Sequence, residues 1–251
     1  MVIFPILDGQ KHSKPAVPIW EAIEESQQQS ATDYWLVTQP AHAVLAGDLA
    51  AGLREESFGP IDAIISRSIA LHDAGWSMDD AEQIERLRSD SKLRPRSFLQ
   101  ATVEQAIHAW TRSIDTVEKF APIGGHLVSR HFERISHRSG KAPDNLLEKF
   151  RKREKQRQQR LRISIRQDEK ALERLVDGLQ FCDVLSLYLC SGSSRTVRID
   201  DPKMEISRMG EGYRIEPSPF AAPHQFTFPA LRHPVPSGKK AKSGATFYVN
   251  L

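Results

Sequence analysis

The chain is poor in cysteine and has no long apolar segment. Only two cysteines occur among 251 residues, Cys182 and Cys190. On one predicted helix they would lie about 12 Å apart along the axis, which is too far for a disulfide. No apolar run approaches the length that spans a bilayer, and the first residues lack the basic and apolar regions of a secretion signal. We therefore expect no disulfide, no membrane span and a reducing, cytoplasmic setting.

A large net charge is also missing. The formal net charge is +3, with 27% charged and 39% hydrophobic residues, a balance typical of folded globular proteins. Residues 149–162 carry eight Lys or Arg against one Glu, so the rest of the chain is net acidic. This basic segment contains one aromatic residue and no nucleic-acid motif surrounds it. It therefore favours a solvated helix face over a nucleic-acid interface.

Helical patterns dominate the middle of the chain. A strand is predicted at 34–38, where Thr38 or Gln39 can cap the next helix and Pro40 suits its first turn. After residue 190 the pattern changes to a Ser/Gly linker and short strand-like segments. The predicted helices are 40–53, 61–73, 79–87, 98–120, 122–136, 145–162 and 168–190, and the candidate C-terminal strands are 197–199, 213–215, 226–228 and 246–249.

These patterns predict a mainly α fold. We expect an N-terminal extension (residues 1–33), a helical metal-binding domain (34–192) and a small C-terminal β region (193–251). The β region would form a small appendage on a helical bundle. A pairing of these C-terminal strands with residues 34–37 stays open, as does a contribution of N-terminal strands to the appendage.

The adjacent pair His72-Asp73 is the most informative motif. Neighbouring residues on a helix point about 100° apart, so their side chains converge only on an object between them. Imidazole nitrogen and carboxylate oxygen both bind zinc, iron and manganese, which makes a metal ion the natural object. Gly75 stands where a left-handed cap would end the helix. The alternative is an ordinary helix end, with His72 near the negative end of the dipole and Asp73 in water.

Three more ionisable residues fall on apolar helix faces. His42 shares a face with Leu45 and Leu49, His131 continues an isoleucine and leucine stripe, and Asp183 lies among leucines. Buried ionisable groups are rare unless they are paired or bind metal. Taken singly, each is better explained by hydrogen bonds within the core. Taken with His72-Asp73, the set favours a shared metal site.

Two other histidines compete for a place in such a site. His126 precedes His131 by five positions, about 140° around the helix, so both can hardly face one site. His108 lies on a polar helix face with Glu104 and Arg112, which indicates solvent exposure.

Four segments together resemble a known family. Residues 38–42, 71–76, 128–132 and 179–190 are similar to the DUF3891 family of bacterial proteins of unknown function, with a resemblance covering roughly residues 34–192. The order His42, His72-Asp73, Asp183 further resembles the HD-domain superfamily of metal-dependent phosphohydrolases.

That resemblance implies a fold and a ligand set. The fold would be an HD-domain-like helical bundle, and a first ion would be held by His42, His72, Asp73 and Asp183. In members with two metals, two further histidines hold a second ion and the HD aspartate bridges. His108 and His131 occupy the corresponding interval here.

The implied function is hydrolysis of a small phosphorylated molecule or nucleotide. One or two divalent ions (Fe, Mn or Zn) would activate water for attack on phosphorus. Asp73 would bridge or orient, while Gln39, Ser129, Arg130 and Trp76 would line the site. Further candidate cations for the substrate phosphate are Arg67 and Arg112.

Two alternatives remain. An HD-type scaffold with the same ligands also suits a di-iron oxygenase. A non-catalytic regulatory protein would keep the metal or ligand for structure and recruit a partner through the basic helix. We expect nucleic acid and membranes not to be partners, and an oligomer stays open.

Overall fold

Helices and strands are both abundant in the residues described by the computed structural model, which are 1–6, 15–138, 145–210, 212–235 and 243–251. The helices are α1 (Ile19–Gln28), α2 (Gln39–Ala51), α3 (Glu55–Phe58), α4 (Ala63–Ala70), α5 (Ser77–Ser89), α6 (Val103–Phe120), α7 (Pro122–Arg138), α8 (Asn145–Arg162) and α9 (Glu169–Ser191). The strands are β1 (Val2–Pro5), β2 (Val17–Pro18), β3 (Tyr34–Val37), β4 (Val197–Asp200), β5 (Lys203–Met209), β6 (Gly212–Glu216), β7 (Gln225–His233) and β8 (Gly244–Asn250).

The strands form two four-stranded sheets within the described ranges. The first has the order β1-β3-β7-β8 with antiparallel neighbours, and the second has the order β2-β4-β5-β6, in which β2 and β4 are parallel. The prediction of a mainly helical, HD-like bundle with a small appendage was therefore wrong. The fold is mixed α/β, because short strands from both ends of the chain pair across it.

Both sheets cross the boundaries expected at residues 33/34 and 192/193. Val2 of β1 lies opposite Val37 of β3, and Tyr34 of β3 lies opposite His233 of β7. Val17 of β2 lies opposite Val197 of β4. The pairing of C-terminal strands with residues 34–37, which the sequence left open, is thus present. The two sheets together therefore contain strands from all three predicted regions.

Helix α9 forms the centre of the core. Asp168 caps it by accepting a hydrogen bond from the backbone N–H of Ala171 at 2.8 Å, and Gly192 ends it with φ of 65°. The helix packs against α1, α2, α7 and β1, and most of its residues are buried. Cys182 and Cys190 are free and buried on it, as predicted from their spacing. None of the helices in the described ranges is both long and apolar enough to cross a membrane.

Helix α2 begins as the sequence predicts, whereas α4 ends earlier than predicted. Thr38 accepts a hydrogen bond from the backbone N–H of Ala41 at 3.2 Å, with Pro40 in the first turn. Helix α4 stops at Ala70, and a turn followed by a short 3-10 helix (Ala74–Trp76) carries the chain onward. His72-Asp73 therefore lies in a turn between two helices and not on a helix.

Gly75 does not form the predicted left-handed cap. Glycine is needed there because the turn approaches α6 closely. Its φ is not positive, and a Cβ atom there would lie 2.0 Å from the carbonyl oxygen of Ala109 on α6. The backbone N–H of Gly75 also donates to Ser113 Oγ at 2.9 Å. Only glycine permits this approach of the turn to α6, and the contact holds His72-Asp73 in place.

A candidate metal centre

Five ionisable side chains from four parts of the chain meet beside α9. They are His42 on α2, His72 and Asp73 in the turn after α4, His131 on α7 and Asp183 on α9. Each is at most 6% exposed. The rings of His42 and His72 lie 5.3 Å apart between centroids, and those of His72 and His131 lie 5.5 Å apart. So many buried ionisable groups side by side need mutual compensation or a bound ion.

The hydrogen bonds of His42 fix its tautomer. Its Nδ1 lies 3.0 Å from Ser186 Oγ, and that hydroxyl donates to the carbonyl oxygen of Asp183 at 2.8 Å. Because the hydroxyl hydrogen is already used, Ser186 Oγ accepts a hydrogen bond from Nδ1–H of His42. The lone pair of His42 Nε2 then faces Asp73 Oδ2 at 2.9 Å.

The hydrogen bond of His72 fixes the same tautomer as in His42, with the hydrogen on Nδ1. Its Nδ1 donates to the backbone carbonyl of Ile69 at 2.8 Å, an oxygen that can only accept. Its Nε2 has no hydrogen-bond partner among the described residues and lies 3.3 Å from Asp183 Oδ1. Outer hydrogen bonds that hold a histidine in this tautomer are typical of metal ligands.

Two imidazole lone pairs thus point at two carboxylates. A lone pair and a carboxylate oxygen at such distances repel each other unless a proton or a cation lies between them. Burial alone would lower the pKa of His72, but the carboxylates of Asp73 and Asp183 raise it to about 9. Burial would raise the pKa of Asp183, but the facing histidines, above all His72, hold it at about 2. The cluster therefore favours a proton or a cation between the histidines and the carboxylates.

The donor set fits a divalent metal ion. His42, His72 and Asp73 form one group, and His72, His131 and Asp183 form another, with the ligand atoms of each group within 4.8 Å of one another. Around an ion with bonds of about 2.1 Å, tetrahedral ligand atoms lie about 3.4 Å apart. The observed separations include 2.9 Å, 3.3 Å and, from His131 Nε2 to Asp183 Oδ2, 3.6 Å. Two carboxylates and neutral imidazoles would balance the charge of a divalent ion.

The structure does not bring His108 to this cluster. Its side chain is exposed on α6, and it belongs to neither group of potential ligands among the described residues. The polar helix face seen in the sequence is thus solvent-facing. His126 is buried on α7 near the backbone of Gln158 on α8, and burial lowers its pKa. It is away from the cluster, as the angle around the helix predicts.

Ser129 and Arg130, expected to line the site, point to another network. Ser129 Oγ donates to Glu154 Oε2 at 3.0 Å, and Arg130 pairs with Glu133 at 2.8 Å and with Glu173 at 2.9 Å. Both side chains therefore join α7 to α8 and α9. Their position next to His131 in the sequence misled the prediction, because adjacent helical residues face different sides.

Gln39 and Trp76 do border the cluster. Asp80 Oδ2 accepts a hydrogen bond from the backbone N–H of Gln39 at 2.6 Å, which places Gln39 at the start of α2. Gln39 is 2% exposed, and its Oε1 has no hydrogen-bond partner among the described residues. With Trp76 it lines a cavity of about 420 Å³ that opens onto the cluster. Trp20, Phe98, Trp110 and Phe132 supply further aromatic walls, beside Glu24 and four aliphatic residues: Ala101, Ala106, Ile135 and Leu187.

A second cavity of about 520 Å³ meets the first at the cluster. Trp20, His131, Ile135 and Asp183 line both cavities. The second cavity is charged and is lined by three arginines and three further aspartates: Arg134, Arg174, Arg198, Asp177, Asp200 and Asp201. Arg67, Arg112 and Arg130, the cations suggested from the sequence, line neither cavity. No local pattern singles out the three arginines that do, because they come from α7, α9 and β4.

The fold and the cluster together define a mixed α/β protein with a buried His/Asp group that could hold a metal ion. The chain matches the model of a family described as "Protein of unknown function (DUF3891)" over residues 27–232. It therefore belongs to this family, in agreement with the resemblance in the four sequence segments. No curated protein and no solved structure matches the chain.

Proposed function

We propose that the protein is a metal-dependent phosphohydrolase that acts on a small phosphorylated molecule. The observation that carries this proposal is the pair of histidine Nε2 lone pairs, on His42 and His72, that face the carboxylates of Asp73 and Asp183 in a buried site. A divalent ion satisfies all four groups at once. A purely structural ion pair would need both imidazoles to carry an additional proton.

The geometry favours one ion over two. His72 belongs to both potential ligand groups but has a single free nitrogen, since its Nδ1 is bonded to the carbonyl of Ile69. The second ion implied by the resemblance would need His108, which is exposed on α6. We infer one ion bound by His42, His72, Asp73 and Asp183, with His131 completing the set. Iron, manganese and zinc all suit this nitrogen and oxygen donor set.

A bound divalent ion would lower the pKa of a water molecule and polarise a phosphoryl oxygen. The protein's own groups supply the remainder of the chemistry. Asp73 Oδ1 is buried without a hydrogen-bond partner among the described residues, so it can accept a proton from an attacking water. Gln39 Oε1 borders the same space and can orient a hydrogen-bond donor.

Phosphate release tests the proposal. Protein purified without chelator and loaded with Fe²⁺, Mn²⁺ or Zn²⁺ should release inorganic phosphate from members of a panel of phosphate monoesters and nucleotides. His72→Ala and Asp183→Asn should abolish this release. His108→Ala is the matched control and should retain it, because His108 lies outside the cluster. The proposal would be overturned if the loaded protein released phosphate from no member of the panel.

One observation favours the oxygenase as a second candidate. The aromatic cavity beside the cluster has no Lys or Arg among its described lining residues, which suits an apolar substrate. The requirement for two iron ions counts against it. His72 has a single free nitrogen, and His108, which the second ion would need, is exposed on α6. Anaerobic loading with Fe²⁺ followed by exposure to oxygen separates the candidates, since only an oxygenase would consume oxygen in step with substrate.

The basic helix gives little support to a regulatory role. Arg157 on α8 pairs with Asp115 and Glu154, and Arg160 pairs with Glu118, so these charges join α8 to α6 or are balanced within α8. These two arginines thus stabilise helix packing. They do not simply face solvent, as the sequence predicted for this segment. A cytoplasmic setting completes the proposal, because buried, unbridged thiols are typical of proteins from reducing compartments.

A further inference from the structure

We propose that the aromatic cavity binds a flat, uncharged aromatic ring of the substrate, so that the protein acts on phosphate esters of aromatic alcohols. This inference rests on the proposed function for the reaction, but the binding of the ring itself does not depend on it. Three features of the cavity carry it: the walls, the charge and one unsatisfied amide.

Aromatic side chains supply several of the walls, and one of them, Trp110, is held in place by neighbouring rings. Trp110 stacks on Phe132 with ring centroids 5.2 Å apart and contacts Phe150 at 5.5 Å, so its ring is held from behind. Trp76 is 8% exposed in the turn that carries His72-Asp73. Trp20 on α1 closes another side. Flat walls that are already fixed in place bind a flat ring at little cost in side-chain entropy.

The charges exclude an anion from this cavity. Its described lining residues include the carboxylates of Glu24, Asp73 and Asp183 and no Lys or Arg. A phosphate placed here would face like charges without a counterion other than the metal. The arginines Arg134 and Arg198 line the second cavity, which shares His131 and Asp183 with this one. The anionic part of a substrate thus belongs at the metal or beyond it, and the uncharged part belongs among the tryptophans.

Gln39 supplies the polar contact that orients the ring. Its Oε1 is buried and lacks a hydrogen-bond partner among the described residues, although it lies at the cavity wall. An unsatisfied buried acceptor of this kind costs free energy until a ligand donates to it. A hydroxyl or N–H group on the aromatic part would do so.

The reaction then balances as an ester hydrolysis. The bond between phosphorus and the ester oxygen breaks, the oxygen of a water molecule bonds to phosphorus, and one of the water protons ends on the released aromatic alcohol. That alcohol is uncharged, so it fits the cavity as product. The volume of about 420 Å³ accommodates one or two fused rings.

Calorimetric titration tests the binding of the ring without requiring activity. The ligands are 2-naphthol, cyclohexanol and inorganic phosphate, and the proteins are the native chain, Trp20→Leu, Trp20→Phe and the control Trp35→Leu. Trp35 lies on β3, where its ring contacts Phe247, away from the cavity. We expect 2-naphthol to bind the native chain and Trp35→Leu equally, and Trp20→Leu about fivefold or more weakly. Trp20→Phe should recover most of the loss.

Two outcomes would overturn the inference: equal binding of 2-naphthol and cyclohexanol by the native chain, or equal loss in Trp20→Leu and Trp35→Leu. Rates with naphthyl phosphate and cyclohexyl phosphate then separate the two proposals. If both esters are hydrolysed equally well, the phosphohydrolase stands and the aromatic preference fails. If 2-naphthol binds as expected but no ester is hydrolysed, the binding of an aromatic ring beside Trp20 stands and the phosphohydrolase fails.

Discussion

Without metal, the protein should lose stability as the pH rises through the weakly alkaline range. The cause is His72, whose pKa is raised from 6.5 to about 9 in the folded chain by Asp73 and Asp183, against the opposing effect of burial. The folded state thus holds this proton more tightly than the unfolded state. Its contribution to the free energy of unfolding is complete below pH 6.5 and disappears as the pH passes 9.

The magnitude follows from the size of the shift. Each pKa unit corresponds to about 1.4 kcal/mol, so the contribution of His72 is at most about 3 kcal/mol. The low pKa of Asp183 reflects the same interaction and is not added to it; its own loss occurs at acid pH, toward pH 2. A divalent ion would replace the proton on Nε2, so its binding should remove the alkaline loss.

Urea unfolding followed by circular dichroism measures this effect. The experiment compares chelator-treated protein from pH 6.5 to 9 with protein at a fixed free concentration of divalent ion. Burial raises the pKa of both Cys182 and Cys190, and their thiols add a separate loss of stability at high pH. His72→Gln therefore serves as the reference, and the difference between it and the native chain isolates His72. His108→Ala should behave as the native chain.

A constant free energy of unfolding across this range in the metal-free protein would refute the reasoning. So would the same alkaline loss in His72→Gln. Either result would mean that the lone pair of His72 does not face an uncompensated carboxylate.

Three further predictions concern the surroundings of the cluster. Ser186→Ala should weaken metal binding about 10- to 100-fold by calorimetry, because the hydroxyl no longer orients His42; unchanged affinity would remove Ser186 from the site. Gly75→Ala should lower the free energy of unfolding by about 3 kcal/mol in urea and also weaken metal binding, because the new Cβ meets the carbonyl of Ala109; a stable variant with native affinity would contradict this. Glu154→Ala should lower the free energy of unfolding in urea by about 3 kcal/mol, because Arg157 loses a buried ion-pair partner. Its metal affinity by calorimetry should be unchanged.

The local signals in the sequence predicted the helices well. Capping at Thr38 and the spacing of apolar residues placed α2 and α9 within about two residues of their ends, which is the usual precision of such boundaries. The extent of the two sheets and the place of their N-terminal strands could not be predicted, for a physical reason. Strand β2 has two residues and β1 has four, and their partners lie far away in the chain, so no local pattern reveals the pairing.

For the candidate site, too, local patterns were readable from the sequence, whereas contacts between distant segments were not. His42, Asp183 and His131 could be selected because each breaks an apolar helix face, and the structure brings them together with His72-Asp73. The cavity could not be predicted, because Trp20 and Trp110 come from different helices whose relative position depends on the whole fold. Ser186 carried a weak signal, since it follows Asp183 by three positions on one face of α9.

Metal content tests the central claim most directly. Protein purified without chelator and dialysed against metal-free buffer is analysed for Fe, Mn and Zn per chain, together with His72→Ala and His108→Ala. The account predicts about one ion per chain in the native protein and in His108→Ala, and near-complete loss in His72→Ala. A native chain that binds no divalent ion even after loading, or a His72→Ala variant that binds as much as the native chain, would contradict it.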